Sequence, residues 1–356
     1  DVAYSGFMEG LSKKYPDNHE VAAFYALSLL GSVPDGRDDE LYGKGAKIAL
    51  GILAENPEHP GALHYTIHSY DDPRHAALAL EAANAYSKVA PDASHALHMP
   101  SHIYVAMGMW DRVVDSNIDS YQASLNRMER KELGNDDRGY HAFHWLEYGY
   151  LQQDNREEAR KMVWDMQRYM KDTPSPRARV HMVFLKGTYL TETDEWDGEI
   201  ADIPVEISDL NISVRSQYNF LEGMKGYTAK DTVEMDRIIA VMQVDIDREA
   251  YVQEFSSASL CSNVTRAEAA PSDIVTSKAR QQQLIALRED LAGRHDAAEE
   301  HLQKSIELQE SVSYSYGPPS IQKPTRELYA DWLAGMGRYK EAEAQYTLAE
   351  KAGPKR

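Results

Sequence analysis

Apolar residues recur at helical spacing along most of the chain, in pairs of stretches joined by short polar turns. The first stretch, 2–16, places Tyr4, Phe7, Met8 and Leu11 on one helical face and stops at Tyr15-Pro16. Residues 19–31 and 44–57 predict a helix pair carrying a loop at 32–43. Residues 76–89 and 112–125 predict two more amphipathic helices, the first stopped by Ala90-Pro91-Asp92. A further helix is expected over 138–153, ahead of a turn at Asp154, and weaker helical patterns occupy about 177–200 and 212–250. The pattern breaks at 202–213 around Ile203-Pro204, at 263–273 with Pro271, and at 311–323, which is rich in Ser, Tyr, Gly and Pro. Helical stretches flank each break, so these read as insertions within one array rather than as domain linkers.

The array has a period. His64 and His98 lie 34 residues apart, as do His68 and His102, and an amphipathic stretch follows each pair. A helix–turn–helix unit of this length resembles the tetratricopeptide repeat (TPR). Turn signatures of that repeat stand at Gly108-Met109-Trp110, at Gly337-Arg338-Tyr339 with Ala342, at Gly293-Arg294-His295 with Ala298, and at Asp154-Asn155 with Ala159. The resemblance implies an all-α fold, a right-handed superhelix (α-solenoid) of about seven to eight helix–turn–helix repeats, spanning 1–356 as a single domain. On that reading 1–17 is the orphan second helix of a truncated repeat, its apolar stripe lacking a neighbour, and the natural chain is expected to extend further towards the N-terminus.

More narrowly, three segments are similar to a bacterial subfamily of such proteins. They are His59-Pro60-Gly61 to His64-Tyr65, Ile67-His68-Ser69-Tyr70-Asp71-Asp72-Pro73, and His95-Ala96-Leu97-His98-Met99-Pro100-Ser101-His102-Ile103. Gly317-Pro318-Pro319, Lys323-Pro324 and Glu327 match as well. Subfamily members often carry an acidic residue where His144 stands, and the resemblance implies no general activity.

Nine of the thirteen histidines lie between His59 and His144, which confines the candidate chemistry to the repeats of 60–153. The resemblance implies that fixed positions of each first helix face the concave surface. On that register His64, His98 and His144 form one row, and His68, His102 and Tyr148 the next. His95 and His141 begin a third, and Asp71 closes its helix. Residues four apart share a helix face, and adjacent helices lie roughly 8–10 Å apart, so imidazoles from neighbouring helices can meet at metal–nitrogen bonds of about 2.0–2.1 Å. This grid predicts one ion with an open position, or two ions with three imidazoles each. His19, His59, His75, His295 and His301 lack such company and read as ordinary hydrogen-bonded residues, while His181 stays open between the two readings and nearer to this one.

Nitrogen-rich ligands suit copper first, with zinc or iron as alternatives, whereas magnesium and calcium prefer oxygen. A redox ion supports oxidation of a small organic substrate; a zinc-like ion supports hydrolysis. Oxidation is the favoured expectation. Asp71 or Asp72 is expected to orient an imidazole or act as a base, and Tyr148 to position substrate. Tyr314-Ser315-Tyr316-Gly317-Pro318-Pro319 reads either as a lid or as a plain insertion. The rival class is a non-catalytic scaffold that binds peptides or partner proteins in the concave groove.

Composition narrows the field. A net charge of −19 argues against nucleic acid and anionic membranes and would suit a basic peptide. No run approaches eighteen apolar residues, so no membrane insertion is expected. The single Cys261 rules out thiolate zinc sites and intrachain disulfides, and is a weak nucleophile candidate. The compartment stays open between exported (periplasmic) and cytoplasmic.

Overall fold

A computed structural model describes residues 2–33, 36–255 and 269–356. Every regular element among them is helical, and successive helices pack in neighbouring pairs. No helix among the described residues is long and apolar enough to cross a membrane. Cys261 and the predicted break over 263–268 lie outside the described residues. The chain divides into two compact units. One comprises Asp1–Gly149, Ser313–Gly317 and Lys351–Arg356, and the other Tyr150–Val312 with Pro318–Glu350.

The first unit opens with α1 (Val2–Lys14), α2 (His19–Leu30), α3 (Asp39–Glu55) and α4 (Pro60–Ser69), each packed on its predecessor. On α1, Met8 is buried against α2 while Val2, Tyr4 and Phe7 are exposed. The loop predicted at 32–43 ends earlier, at Asp38. That side chain accepts hydrogen bonds from the Glu40 and Leu41 N–H groups, and Asp39 and Glu40 sit in the first turn, where the helix dipole favours acids. A 3₁₀ turn (Ala76–Ala79) then leads into α5 (Leu80–Val89).

Next come α6 (Ser94–His98) and α7 (Pro100–Ala106), one path interrupted at Met99, because Pro100 has no N–H to continue the helical ladder. Both pack on α8 (Trp110–Lys131), and α9 (Tyr140–Gln152) follows. Leu63, Ile67, Met99, Ile103, Trp145 and Tyr148 form the core beneath these helices. Full burial of Ile67, Met99 and Ile103 contributes roughly 1.5–3 kcal/mol each, which anchors the backbone that carries the histidines.

The second unit is built from α10 (Arg156–Asp172), α11 (Pro176–Thr193), α12 (Ile212–Thr228), α13 (Thr232–Phe255), α14 (Pro271–Leu291), α15 (His295–Glu310), α16 (Thr325–Gly335) and α17 (Tyr339–Ala352). The helix expected over 177–200 stops at Thr193, where Asp194 takes a left-handed φ of 60°. Residues 202–211 are irregular as predicted, and Asn211 caps α12. Pro271 starts α14 rather than sitting in a break, because proline at the first helical position loses no ladder bond.

Candidate metal centre

The clustered histidines sit on α4, α6, α7 and α9, all within the first unit. His98 and His102 are buried, His64 and His68 half-buried, and His95 and His141 exposed. His98 and His102 aim their Nε2 atoms at each other across 3.2 Å. Both Nδ1 atoms are already committed. His98 Nδ1 lies 2.7 Å from Asn117 Oδ1. The Asn117 amide nitrogen donates to the Val113 carbonyl at 2.8 Å, which fixes the amide so that Oδ1 accepts from the imidazole. His102 Nδ1 lies 2.6 Å from Asp71 Oδ2.

His141 completes the group. Its ring centroid is 4.6 Å from that of His98, and ligand atoms of His98, His102 and His141 lie within 4.8 Å of one another. With metal–nitrogen bonds of about 2.0–2.1 Å, two nitrogens 3.2 Å apart subtend roughly 100° at an ion, close to a tetrahedral angle. The donor chemistry and the spacing both fit a transition metal.

The gap between the two Nε2 atoms takes one proton or one cation, because two lone pairs at that distance repel. Burial pushes the Asp71 carboxyl well above the usual range, against the pull of Arg37 and with a further push from Asp72. A neutral chain then fits the three facing nitrogen and oxygen contacts and leaves only Asp71 Oδ1 without a partner. Asp71 donates to His102 Nδ1, His102 Nε2–H donates to His98 Nε2, and His98 Nδ1–H donates to Asn117. A cation held between the Nε2 atoms would take the place of one proton, with Asp71 then ionised. Burial also holds His98 and His102 well below the ordinary imidazole value and sets His64 and His68 at about 3, so all four are neutral, ligand-competent imidazoles near pH 7.

Aromatic rings wall the cluster. The buried Trp145 lies 4.5 Å from His102 and 4.7 Å from His98, ring to ring. Tyr316 lies 5.0 Å from His102 and 6.2 Å from His68. At Gly317, φ is +90°, and a Cβ there would clash with Trp145 Cζ2. The segment Ser313–Gly317 therefore lies directly on the cluster, and glycine is what permits the contact.

The remaining expected residues divide. His64 and His95 face each other with Nε2 atoms 3.1 Å apart. His68 has its ring 4.7 Å from His64 and 5.8 Å from His102. With Asp71 and His102 it forms a second metal-capable group. The tightest histidine–histidine ring contacts between helices join the expected rows, His64 to His95 and His98 to His141; His68 to His102 runs along one. His144 is buried but belongs to neither metal-capable group.

Of the two aspartates, Asp71 carries the imidazole contact within the cluster. Asp72 anchors the turn ahead of Ala76 instead, accepting from His75 Nδ1 at 2.7 Å, Arg37 Nη2 at 2.8 Å and the Arg74 N–H at 2.8 Å. Tyr148 is packed in the core against Trp110, with Arg356 Nη1 3.5 Å from its hydroxyl.

The histidines read as structural each have a hydrogen-bond partner of their own. His19 meets Glu55, His75 Asp72, His295 Asp290 and His301 Gln282, while His59 caps α4 and His181 Nδ1 lies 2.8 Å from the Arg177 carbonyl. Two residues of the site escaped the sequence reading. Trp145 had a signal, one turn beyond His141 on the same face, and Asn117 had none. Tyr316 belongs to the 314–319 stretch read as a lid or an insertion, and the sequence carries no signal for its approach to His102.

No protein-family model matches the chain, and no curated protein matches it in sequence.

Proposed function

We propose that the chain is a metal-dependent enzyme whose ion is held by His98, His102 and His141, acting on a small organic molecule. The observation that carries this is the pair of Nε2 atoms 3.2 Å apart, each ring braced from behind by Asn117 or Asp71. Bracing of this kind fixes ring tautomer and orientation, as in carboxylate–histidine–metal arrangements. Three protein ligands leave a position for substrate or water. Copper is the ion this all-nitrogen set favours, and when bound it supplies redox chemistry, so oxidation is preferred to hydrolysis. Asp71 holds the His102 proton at Nδ1. Trp145 and Tyr316 give a substrate an apolar wall. The pairing of neighbouring helices supports the same repeat reading made from the sequence, a tetratricopeptide-like solenoid.

Elemental analysis of untagged protein, never exposed to a nickel column, tests the reading. His98→Ala and His102→Ala are expected to lose the ion, and any metal-dependent turnover, while keeping the helical circular-dichroism signal. Metal content below about a tenth of an equivalent in the parent protein, unchanged after incubation with copper, zinc or iron, would return the histidines to groove contacts of a peptide-binding scaffold.

A further inference from the structure

We propose a second metal position in the same unit, held by His64, His68 and His95, which makes the centre dinuclear with three imidazoles per ion. This rests on the reading of His98, His102 and His141 as the first position.

The two sets occupy equivalent positions in the sequence, although only the first already has three ligand atoms within 4.8 Å of one another. His64 and His68 stand on α4 one 34-residue repeat before His98 and His102. His95 is the second residue of α6, and His141 the second residue of α9, so each set draws its third imidazole from the start of a following helix. The contacts repeat as well. His64 meets His95 at a ring separation of 4.9 Å and 74°, and His98 meets His141 at 4.6 Å and 70°. Within the helices, His64 and His68 are 4.7 Å apart, and His98 and His102 are 5.0 Å apart. The facing Nε2 atoms of His64 and His95, 3.1 Å apart, again subtend roughly 100° at an ion with bonds of about 2.0–2.1 Å.

The hydrogen bonding points the same way. Among the described residues His68 makes no hydrogen bond, and His64 and His95 bond only each other. His64 and His68 are half-buried imidazoles with few partners, and an ion would engage both together with the exposed His95. The sets touch through His68 and His102, whose rings are 5.8 Å apart. Asp71 lies between those two residues, with ligand atoms of all three within 4.8 Å. Its Oδ1 is buried without a hydrogen-bond partner, which places negative charge where two cations would be neighbours.

The test loads the full metal-free chain with copper(II), desalts it, and counts copper per chain by elemental analysis. The expected result is about two equivalents in the parent protein, and about one in both His64→Ala/His95→Ala and His98→Ala/His141→Ala. Helical circular dichroism checks the fold, and His95→Ala alone, at an exposed position, repeats the first test with the least disturbance. One equivalent in the parent protein, kept by His64→Ala/His95→Ala and lost by His98→Ala/His141→Ala, overturns the second position and leaves the first standing. No copper in the parent protein overturns both. Two equivalents, of which one is lost in His68→Ala and Asp71→Ala but kept in His64→Ala/His95→Ala, overturns this ligand set in favour of His68, Asp71 and His102.

Discussion

Asn117 and Asp71 decide which nitrogen each buried imidazole offers. Both take up an Nδ1 atom, so both leave Nε2 to face the other ring. Removing either brace frees the ring to turn. Asn117→Ala and Asp71→Asn are each expected to weaken metal binding by roughly 10–100-fold, the usual cost of losing a residue that braces a ligand. Competition against a chelator of known affinity measures this, and unchanged affinity in both would show that the bracing is idle. The two differ in one respect. Because burial favours a proton on Asp71, loading the parent protein should release about one proton per ion at this position, and loading Asp71→Asn should release fewer. Calorimetry in buffers of different ionisation enthalpy counts the protons.

Two short elements set the geometry around these residues. The interruption at Pro100 splits the His98–His102 helix into α6 and α7, yet the two rings still meet, because the break is confined to Met99. The segment Ser313–Gly317 approaches so closely that Gly317 has no room for a Cβ beside Trp145. Gly317→Ala therefore meets both a clash and an unfavourable left-handed backbone, at about 1–3 kcal/mol for the backbone alone. The segment should be displaced, with Tyr316 drawn away from His102 and Trp145 left more exposed. A red shift in tryptophan emission, with the metal retained, is the expected signature. An unchanged spectrum and unchanged melting would mean that the close contact is not made.

Across the molecule as a whole, the buried histidines link stability to pH. Burial sets His64 and His68 at about 3, against an ordinary value of 6.5. The unfolded chain therefore binds protons at 6.5 that the folded chain refuses until about 3. Stability of the metal-free protein is full above 6.5 and falls steadily as the pH drops through that window. Urea midpoints between pH 7 and pH 4 test this, with His64→Gln/His68→Gln expected to flatten the slope. A bound ion adds to stability by mass action, about 2.7 kcal/mol at a hundredfold excess over its dissociation constant, so chelation should lower the melting temperature.

Helical period and repeat spacing are local properties, and they were legible. They placed α1, α2 and α9 within a few residues, found α8 but ended it six residues early, and put His64, His68, His98 and His102 on successive helix faces. They also separated the clustered histidines from His19, His75, His295 and His301, whose partners lie elsewhere. What period cannot carry is the register of one helix against the next. That depends on how side chains interlock across the interface and on where the loops return. So the pairing of His64 with His95 and of His98 with His141 rather than along rows, the choice of Asp71 over Asp72, and the arrival of Asn117 and Tyr316 from remote parts of the chain emerged from packing alone.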